Sequence, residues 1–474
     1  MFDTSLLECA WPAKTTLRVA LSWAEGRSLG EDEGLELFLH AAAAGIFELS
    51  WGVLCPACGM MIQTPGGLRA LGPEPHCRLC RISFPAAADD QIEVTFSLEP
   101  SIRKLRYYEP GGVDVVRDGP RLFFGSTREP VGAHAAMGSM MRAAGGVGPG
   151  EEVVLDVTLE PGMGAVLVPA VHALAFVQLE PGQLTEARFE IHDGAMLPAH
   201  LALAPGPLRI SAVNRTHHSL TVCVAQLPTD TPGLDRPPTF RIRPFLTGKR
   251  VLTSQTFRDL FRTETIGASG LRIKNLAILF TDLTASTQLY ERVGDLRALD
   301  LVRAHFDKLT EIVRENGGAL VKTIGDAVMA AFVDPEPAVA AAASMNEVLR
   351  TIDSGGDPLT IKAGIHLGSC IAIQSNHQID YFGTAVNSAA RIQGVARGGE
   401  IVVSDDVWRA PGVQALVERN GLRATADRVH LRGIAMPVPI HRLHYEGYSE
   451  SQPRSGIKLA SWRNMRSSFR RAGL

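Results

Sequence analysis

The chain has 474 residues, of which 45% are hydrophobic and 20% are charged, and its net charge is −3. This composition is typical of a globular protein with several apolar cores, and the length predicts roughly two to four domains. The nearly balanced charge excludes a general electrostatic attraction to nucleic acid. The first residues, MFDTSLLECAWPAK, lack the basic segment and the apolar run of a signal peptide.

The longest nearly uncharged stretch, at 161–179, contains Pro169 and His172. It is short for a membrane span, so it predicts buried strands. We therefore expect a cytoplasmic protein whose cysteines stay reduced.

Residues 1–100 mix helical and strand patterns around a cluster of cysteines. Residues 101–247 are rich in proline and glycine and contain short alternating runs such as EEVVLDVTL and HSLTVCVAQL. Alternating runs between turn signals predict a β-sandwich-like domain or a barrel. The sequence thus indicates a mixed α/β region followed by a β-rich domain.

Residues 248–275 carry a helical stripe that includes Leu252, Phe257 and Phe261 and is broken by the glycine-rich GASG. This pattern predicts a linker with a short helix that transmits a signal between two modules. From 276 to 445 the order is strand, helix, two strands, helix and strand, then mixed elements.

Four cysteines form two CxxC pairs within the segment 52–85, and these are Cys55, Cys58, Cys77 and Cys80. Each pair is spaced to hold one ion from a tight turn, and the spacer between the pairs fits a zinc ribbon. The alternative is a pair of redox dithiols. Because four thiolates close a zinc site, we expect one structural rather than catalytic Zn²⁺ per chain. The other cysteines, Cys9, Cys223 and Cys370, are predicted to be buried thiols.

Two aspartates stand where strands end. The apolar run NLAILFTDLTAST (275–287) reaches Asp282, and the hairpin ALVKTIGDAVMAAF (319–332) holds Asp326 beside the Gly325 turn. If these strands are neighbours in one sheet, both carboxylates converge at one edge. They would repel each other unless a divalent cation lay between them, and oxygen ligands suit Mg²⁺ or Mn²⁺. The alternative is that one aspartate caps a helix and the other belongs to a turn.

Small polar residues follow Asp282 and precede a predicted helix. Thr284, Ser286 and Thr287 are candidate caps, and free backbone N–H groups at a helix start form a natural anion site. A cation beside such a site indicates a nucleoside triphosphate.

The segments LFTDLTAST, VKTIGDAVMAAF, AGIHLGS and DYFGTAVNSAARI occur in this order between Leu276 and Tyr445. Together they resemble the catalytic domain of the class III nucleotidyl cyclases, which make cyclic AMP or cyclic GMP. A zinc ribbon ahead of such a domain resembles a bacterial subgroup. The resemblance implies a multidomain α+β protein whose C-terminal part is a ferredoxin-like βαββαβ domain. It also implies a homodimer with active sites at the subunit interface.

The resemblance also implies roles for single residues. Asp282, Asp326 and the backbone carbonyl of Leu283 would hold two Mg²⁺ or Mn²⁺ ions. Lys322 and Asp380 would bind the purine.

Lys322 favours adenine, because an ammonium donates to adenine N1 whereas guanine N1–H needs an acceptor. Asn387 would orient the ribose, and Arg391 would stabilise charge on the reacting phosphate. In each site the metal ligands would come from one subunit and these other residues from its partner. These assignments predict an adenylate cyclase acting on ATP; a guanylate cyclase is the alternative.

Three positions depart from the family pattern. Ala285 stands where a glycine is common, and Ser369 stands where many members have a phosphate-binding arginine. The late phosphate-binding lysine of the family has no clear counterpart, and Arg432 is the nearest basic residue to its place. These departures leave open a catalytically weak, regulatory domain. A non-enzymatic interaction scaffold built on the amino-terminal half is a further alternative.

The basic tail at 446–474 carries Trp462, Met465 and Phe469 at helical spacing. This pattern suits an amphipathic helix on an anionic membrane surface, and packing on the chain itself or a disordered tail are the alternatives. Residues 1–250 are predicted to be regulatory, in response to a ligand or protein that the sequence does not identify.

Overall fold

The computed structural model describes most of the chain. The ranges are 30–57, 67–77, 82–99, 140–171, 173–192, 194–217, 219–227, 245–284, 286–349 and 360–445, with shorter pieces at 15–16, 59, 61–63, 80, 101–102, 128–131 and 240–242. The predicted tail at 446–474, together with Cys9, Cys58 and Ala285, lies outside these ranges. Within them, no helix combines the length and the apolar character needed to cross a membrane.

The first region is a helix on a four-stranded sheet. Its elements are β1 (Thr15–Thr16), α1 (Glu31–Ala43), β2 (Phe47–Leu54), β3 (Met61–Gln63), a 3-10 turn (Leu68–Ala70), β4 (His76–Cys77), β5 (Ile82–Ser83) and β6 (Ile92–Leu98). The sheet order is β1-β6-β2-β3, and β4 and β5 form a separate hairpin. At the start of α1 the Glu33 carboxylate accepts the Gly30 N–H at 2.9 Å, and acidic residues there favour the helix dipole. Phe38 of α1 packs 5.4 Å from Phe96 of β6.

The second region consists of short strands in two larger sheets. The strands are β7 (Arg128–Pro130), β8 (Met141–Val147), β9 (Glu152–Leu159), β10 (Gly162–Val168), β11 (Ala173–Leu179), β12 (Glu186–His192), β13 (Ala195–Leu197), β14 (His200–Leu203), β15 (Gly206–Asn214), β16 (Leu220–Leu227) and β17 (Phe240–Ile242), with a 3-10 turn at Pro169–Val171. The orders are β14-β11-β10-β16-β8 and β13-β12-β15-β9, and β7 pairs with β17. Residues of both larger sheets, such as Val166 and Phe189, contribute to one apolar cluster.

The predicted linker helix is two short helices, α2 (Gly248–Leu252) and α3 (Gln255–Leu260). The Thr247 hydroxyl accepts the Arg250 N–H, and the Ser254 hydroxyl accepts the Phe257 N–H. Each hydroxyl starts a new helix by capping it, which is why one continuous helix does not form. We call residues 248–260 the α2–α3 segment.

The third region is an eight-stranded sheet with helices. Its elements are β18 (Leu271–Leu283), α4 (Ser286–Val293), α5 (Asp295–Glu315), β19 (Ala319–Ile324), β20 (Ala327–Phe332), α6 (Pro335–Leu349), β21 (Ile361–Ser375), β22 (Gln378–Phe382), α7 (Thr384–Gly394), β23 (Ile401–Ser404), α8 (Asp405–Trp408), α9 (Val413–Arg419), β24 (Leu422–Val429) and β25 (Val438–Tyr445). β18 starts earlier than the predicted boundary at residue 276, because Leu271 and Ile273 already alternate into the core.

The sheet order is β19-β20-β18-β21-β23-β25-β24, with β22 paired to β21. Its first four strands, joined by α4–α5 and by α6, form a βαββαβ unit of the predicted kind.

The two faces of this sheet are buried by different parts of the chain. One face packs against α5, α6 and α9. On the other face, Phe280 and Met329 belong to a cluster that also contains Trp51 of β2 and Phe257 of α3. The amino-terminal part therefore shares a core with the third region and is not joined to it by a free spacer.

Candidate functional site

The sheet brings Asp282 and Asp326 to one edge. Thr281 of β18 pairs with Val328 of β20, so Asp282 lies next to the turn between β19 and β20. Asp326 occupies that turn, and the preceding Gly325 has a φ of 66°, in the region that favours glycine. We call these two residues the metal aspartates, after the role that the resemblance predicts for them. The predicted convergence is thus present in the strand register.

The metal aspartates are crowded and negatively charged. Burial raises the pKa of Asp282, the Asp326 charge raises it further, and Lys362 lowers it. Lys362 lies opposite Asp282 on β21, with its Nζ 3.5 Å from Asp282 Oδ2. Among the described residues, Asp326 Oδ2 is buried without a hydrogen-bond partner. A buried carboxylate oxygen with no donor, beside a second carboxylate, fits a divalent cation, because oxygen ligands suit Mg²⁺ or Mn²⁺.

Two neighbouring side chains line the metal aspartates from the helices. Burial raises the pKa of Tyr290 on α4, and the charges of Asp326 and Asp282 raise it further, so its phenol stays neutral. His305 on α5 is fully buried, and burial lowers its pKa to about 4. Neither group supplies a positive charge at neutral pH, so Lys362 is left as the cation beside Asp282.

The three candidate helix caps differ in their surroundings. The Thr284 N–H donates to the Thr360 carbonyl at 2.8 Å, and its hydroxyl is buried with no partner among the described residues. Ser286 is the first residue of α4 and is half-buried, whereas the side chain of Thr287 lies outside the described part of the structure. The Thr284 N–H is therefore already used, and Ser286 is better placed than Thr284 to meet an anion. Leu283, before them, has its side chain in the helix-side core.

Lys322 and Asp380 form an ion pair, which we call the purine pair after the role that the resemblance predicts for it. Lys322 Nζ lies 2.6 Å from Asp380 Oδ2. The other carboxylate oxygen, Oδ1, accepts the Tyr381 N–H at 2.7 Å. The side chains are 36% and 16% exposed, so the pair is reachable from solvent. The structure brings together two residues that are 58 positions apart in the chain.

Asn387 and Arg391 lie on α7 four residues apart, on one helix face. Asn387 is exposed and Arg391 is half-buried. The Arg391 guanidinium lies over Gly433, where an added Cβ would come within 3.5 Å of Nη2. Arg432 precedes that glycine in the chain and is exposed.

Three of the four predicted zinc ligands meet. The sulfurs of Cys55, Cys77 and Cys80 all lie within 4.8 Å of one another. Three converging thiols fit a soft cation such as zinc. Of the remaining cysteines, Cys223 and Cys370 are buried as predicted, and burial raises the pKa of each to about 12.

Sequence reasoning missed several residues of the site. Lys362 and Tyr290 face the metal aspartates, and Arg258 of α3 reaches the carbonyl of Ile379 beside the purine pair. Lys362 was detectable, because AGIHLGS belongs to a strand next to LFTDLTAST and Lys362 precedes it. The Arg258 contact spans 121 positions and leaves no local signal.

Comparison with known proteins assigns both halves of the chain. Residues 10–259 match the Family of unknown function (DUF5939). Residues 270–436 match the Adenylate and Guanylate cyclase catalytic domain. The first match covers more than half of the chain, so the chain belongs to the DUF5939 family. Its C-terminal part is a class III adenylate/guanylate cyclase catalytic domain, and the first match ends within α3 while the second begins just before β18.

Several relatives are named as adenylate cyclases. The chain is 35% identical over 155 residues to "Adenylate cyclase" of Lachancea kluyveri, which covers 28% of this chain and 8% of that one. It is 28% identical over 235 residues to "Adenylate cyclase 2" of Rhizobium meliloti, covering 46% and 60%. It is 31% identical over 171 residues to a "pH-sensitive adenylate cyclase" of Mycobacterium tuberculosis, covering 36% and 41%. The chain thus spans less than two thirds of each relative.

Proposed function

We propose that this DUF5939-family chain with a cyclase catalytic domain is an adenylate cyclase, which converts ATP into 3′,5′-cyclic AMP and pyrophosphate. The observation that carries the proposal is the Lys322–Asp380 contact of 2.6 Å on the sheet that also carries the metal aspartates. An ammonium donates to adenine N1, and a carboxylate accepts from the adenine 6-amino group. Guanine presents an N1–H and an amino group and so needs acceptors at both positions.

The reaction is an intramolecular phosphoryl transfer. The ribose 3′-oxygen attacks the α-phosphorus, a new P–O bond forms, and the bond to the pyrophosphate breaks. Asp282, Asp326 and the Leu283 carbonyl would hold two Mg²⁺ or Mn²⁺ ions, which when bound neutralise charge on the nucleophile and on the leaving group. The buried Asp326 oxygen without a donor supports this assignment. The chain's own contribution is positioning and electrostatics.

The two α7 residues complete the assignment. Asn387 would orient the ribose, and Arg391 would stabilise charge on the α-phosphate. Ser286 at the start of α4 would contact the triphosphate through helix N–H groups, with Thr284 and Thr287 beside it. Arg432, next in the chain to the glycine that Arg391 contacts, would add a second positive charge for the phosphates.

A homodimer is the proposed active species, with each site built from both subunits. Mixing two inactive full-length variants tests this arrangement. Asp326→Asn removes a metal ligand and Asn387→Ala removes the ribose contact. In a mixed dimer one site carries both substitutions and the other carries none. Because about half of the dimers in an equal mixture are mixed, the mixture regains about a quarter of wild-type activity. Sites contained within one chain would give no recovery.

The amino-terminal part is proposed to hold one structural Zn²⁺ and to regulate the enzyme. Support comes from the convergence of Cys55, Cys77 and Cys80. Elemental analysis of the purified full chain would give one zinc per chain, and Cys77→Ser would lower both zinc content and melting temperature. A metal-free wild type that is equally stable would rule out the structural role.

A cytoplasmic location, with the basic tail at a membrane surface, is a separate proposal.

Product analysis tests the activity. Full-length protein is incubated with Mn²⁺ and equal concentrations of ATP and GTP, and the cyclic nucleotides and pyrophosphate are quantified. We expect cyclic AMP in excess over cyclic GMP, with one pyrophosphate per cyclic nucleotide. A preference for GTP would make the chain a guanylate cyclase, and absence of both products would leave the scaffold alternative.

A further inference from the structure

The α2–α3 segment makes hydrogen bonds to β19 and β22, the two strands that carry the purine pair. Arg258 Nη1 donates to the Ile379 carbonyl at 2.7 Å, and the Arg258 guanidinium lies 5.3 Å from the centre of the Tyr381 ring. The Tyr381 hydroxyl donates to the Leu252 carbonyl at 3.1 Å, and that carbonyl also accepts from Arg258 Nε at 3.1 Å. These contacts form one compact network on β22.

A second contact holds β19. The Leu320 N–H donates to Gln255 Oε1 at 2.8 Å. β19 lies at the edge of the sheet, so this N–H is bonded by a side chain of the amino-terminal part instead of by another strand. Leu320 stands two residues before Lys322.

The residues that the α2–α3 segment contacts are close in the chain to the purine pair. Ile379 and Tyr381 lie on either side of Asp380, and the Tyr381 N–H donates to Asp380 Oδ1 at 2.7 Å. Tyr381 is buried, and burial raises its pKa, so its hydroxyl remains a donor at neutral pH. One residue thus connects the Asp380 carboxylate to the backbone of α2.

The segment is itself anchored in the amino-terminal core. Phe257 is fully buried, and its ring lies 5.8 Å from the Trp51 ring in an edge-on arrangement. The Thr256 hydroxyl donates to Glu36 of α1 at 3.2 Å. Any movement of that core relative to the catalytic sheet must therefore strain or break the contacts to β19 and β22.

We propose that the α2–α3 segment positions the purine pair, so that its hydrogen bonds act on base recognition and not on the metal aspartates. Arg258 and the Tyr381 hydroxyl are the positioning groups. This inference rests on the proposed function. The metal aspartates lie at the β18 end and the β19–β20 turn, and the contacts of the segment described above fall on other residues.

The test uses full-length variants. Arg258→Met removes the guanidinium and keeps an apolar stem, whereas Tyr381→Phe removes only the hydroxyl. Arg262→Met, at an exposed arginine two residues after α3, is the matched control. Initial rates with ATP and with GTP are measured over a range of Mn²⁺ concentrations, and melting temperatures are recorded.

For both positioning variants we expect KM for ATP to rise and the ATP-over-GTP preference to fall, each by about tenfold, the effect of roughly one misplaced hydrogen-bonding group. The turnover number should change less, and the Mn²⁺ concentration for half-maximal rate should stay that of wild type. Arg262→Met should match wild type throughout. Base preference and KM within twofold of wild type would overturn the proposal, as would a loss of turnover and melting temperature with unchanged preference.

A separate outcome concerns the proposed function. If wild type makes no cyclic nucleotide, that proposal fails, and calorimetric affinities for ATP and GTP replace the rates. The same tenfold loss of base discrimination in Arg258→Met and Tyr381→Phe would then support positioning, and unchanged affinities would overturn it.

Discussion

The metal aspartates and the purine pair lie on one sheet but differ in electrostatic character. At the first, Asp282 Oδ2 lies 3.5 Å from Lys362 Nζ, and the buried Asp326 Oδ2 has no donor among the described residues. At the second, one carboxylate meets one ammonium at 2.6 Å and one backbone N–H at 2.7 Å. The first cluster therefore keeps an excess of negative charge, whereas the charges of the second balance. This difference supports the proposal that the first cluster holds cations and that the second recognises the base.

The largest expected effect is on the first cluster. Asp326→Asn keeps the side-chain volume and removes one charge, so the turnover number should fall by about 10³-fold or more, a loss of several kcal/mol of transition-state stabilisation. The measurement is the initial rate of cyclic AMP formation with saturating Mn²⁺. Circular dichroism shows whether the variant is folded. A folded variant with more than a tenth of wild-type turnover would contradict the metal role.

A smaller effect is expected at the purine pair. Lys322→Met removes the ammonium, and loss of a charged hydrogen bond should lower kcat/KM for ATP by about 10- to 100-fold. The Mn²⁺ dependence should not change. Lys308→Met, at an exposed lysine on α5, is the control and should be silent. An equal loss in both variants would mean that Lys322 has no specific role.

Added Mn²⁺ should stabilise the fold only by binding at the metal aspartates. At a concentration about 100 times its dissociation constant, Mn²⁺ adds about 2.7 kcal/mol to the free energy of unfolding of the part that binds it. This corresponds to a rise of a few degrees in melting temperature, seen by scanning calorimetry in wild type and in Lys322→Met. Asp326→Asn should show no rise. A rise of equal size in all three proteins would place the bound ion elsewhere.

The smallest expected effect is a pH dependence of the metal-free protein. Because the folded protein raises the pKa of Asp282, the folded state binds more protons than the unfolded state between the ordinary aspartate pKa of 3.8 and the raised pKa. The free energy of unfolding contributed by this group therefore falls as pH rises through that window. In EDTA, Asp282→Asn should lose this component of the pH dependence. Identical profiles for wild type and variant would show that Asp282 is not destabilised by its surroundings.

Much of the site was predictable from short motifs. Asp282 and Asp326 follow from two apolar strands that end in carboxylates, and their convergence needs only that the strands be neighbours. Lys322 and Asp380 were paired by resemblance, and the structure joins them. The placement of these residues was predictable because each lies inside one local pattern, and their roles stay predictions.

The contacts between the halves were not predictable in the same way. Arg258 reaches Ile379 across 121 positions, and Trp51 shares a core with Phe280 of the catalytic sheet. The stripe at 252–261 predicted one helix, but the Ser254 hydroxyl caps a second one. These features depend on tertiary packing and on a single side-chain cap. The hydrophobic periodicity of the segment carries no signal for either.

Binding of Mn²⁺, followed by electron paramagnetic resonance of the free ion, tests the division between the two clusters most directly. Wild type, Asp326→Asn and Lys322→Met are titrated in the presence of ATP analogues that are not turned over, and again without nucleotide. Without nucleotide, we predict that wild type and Lys322→Met bind Mn²⁺ alike and that Asp326→Asn has lost this binding. Wild-type binding in Asp326→Asn, or its loss in Lys322→Met, would contradict the assignment of the two clusters.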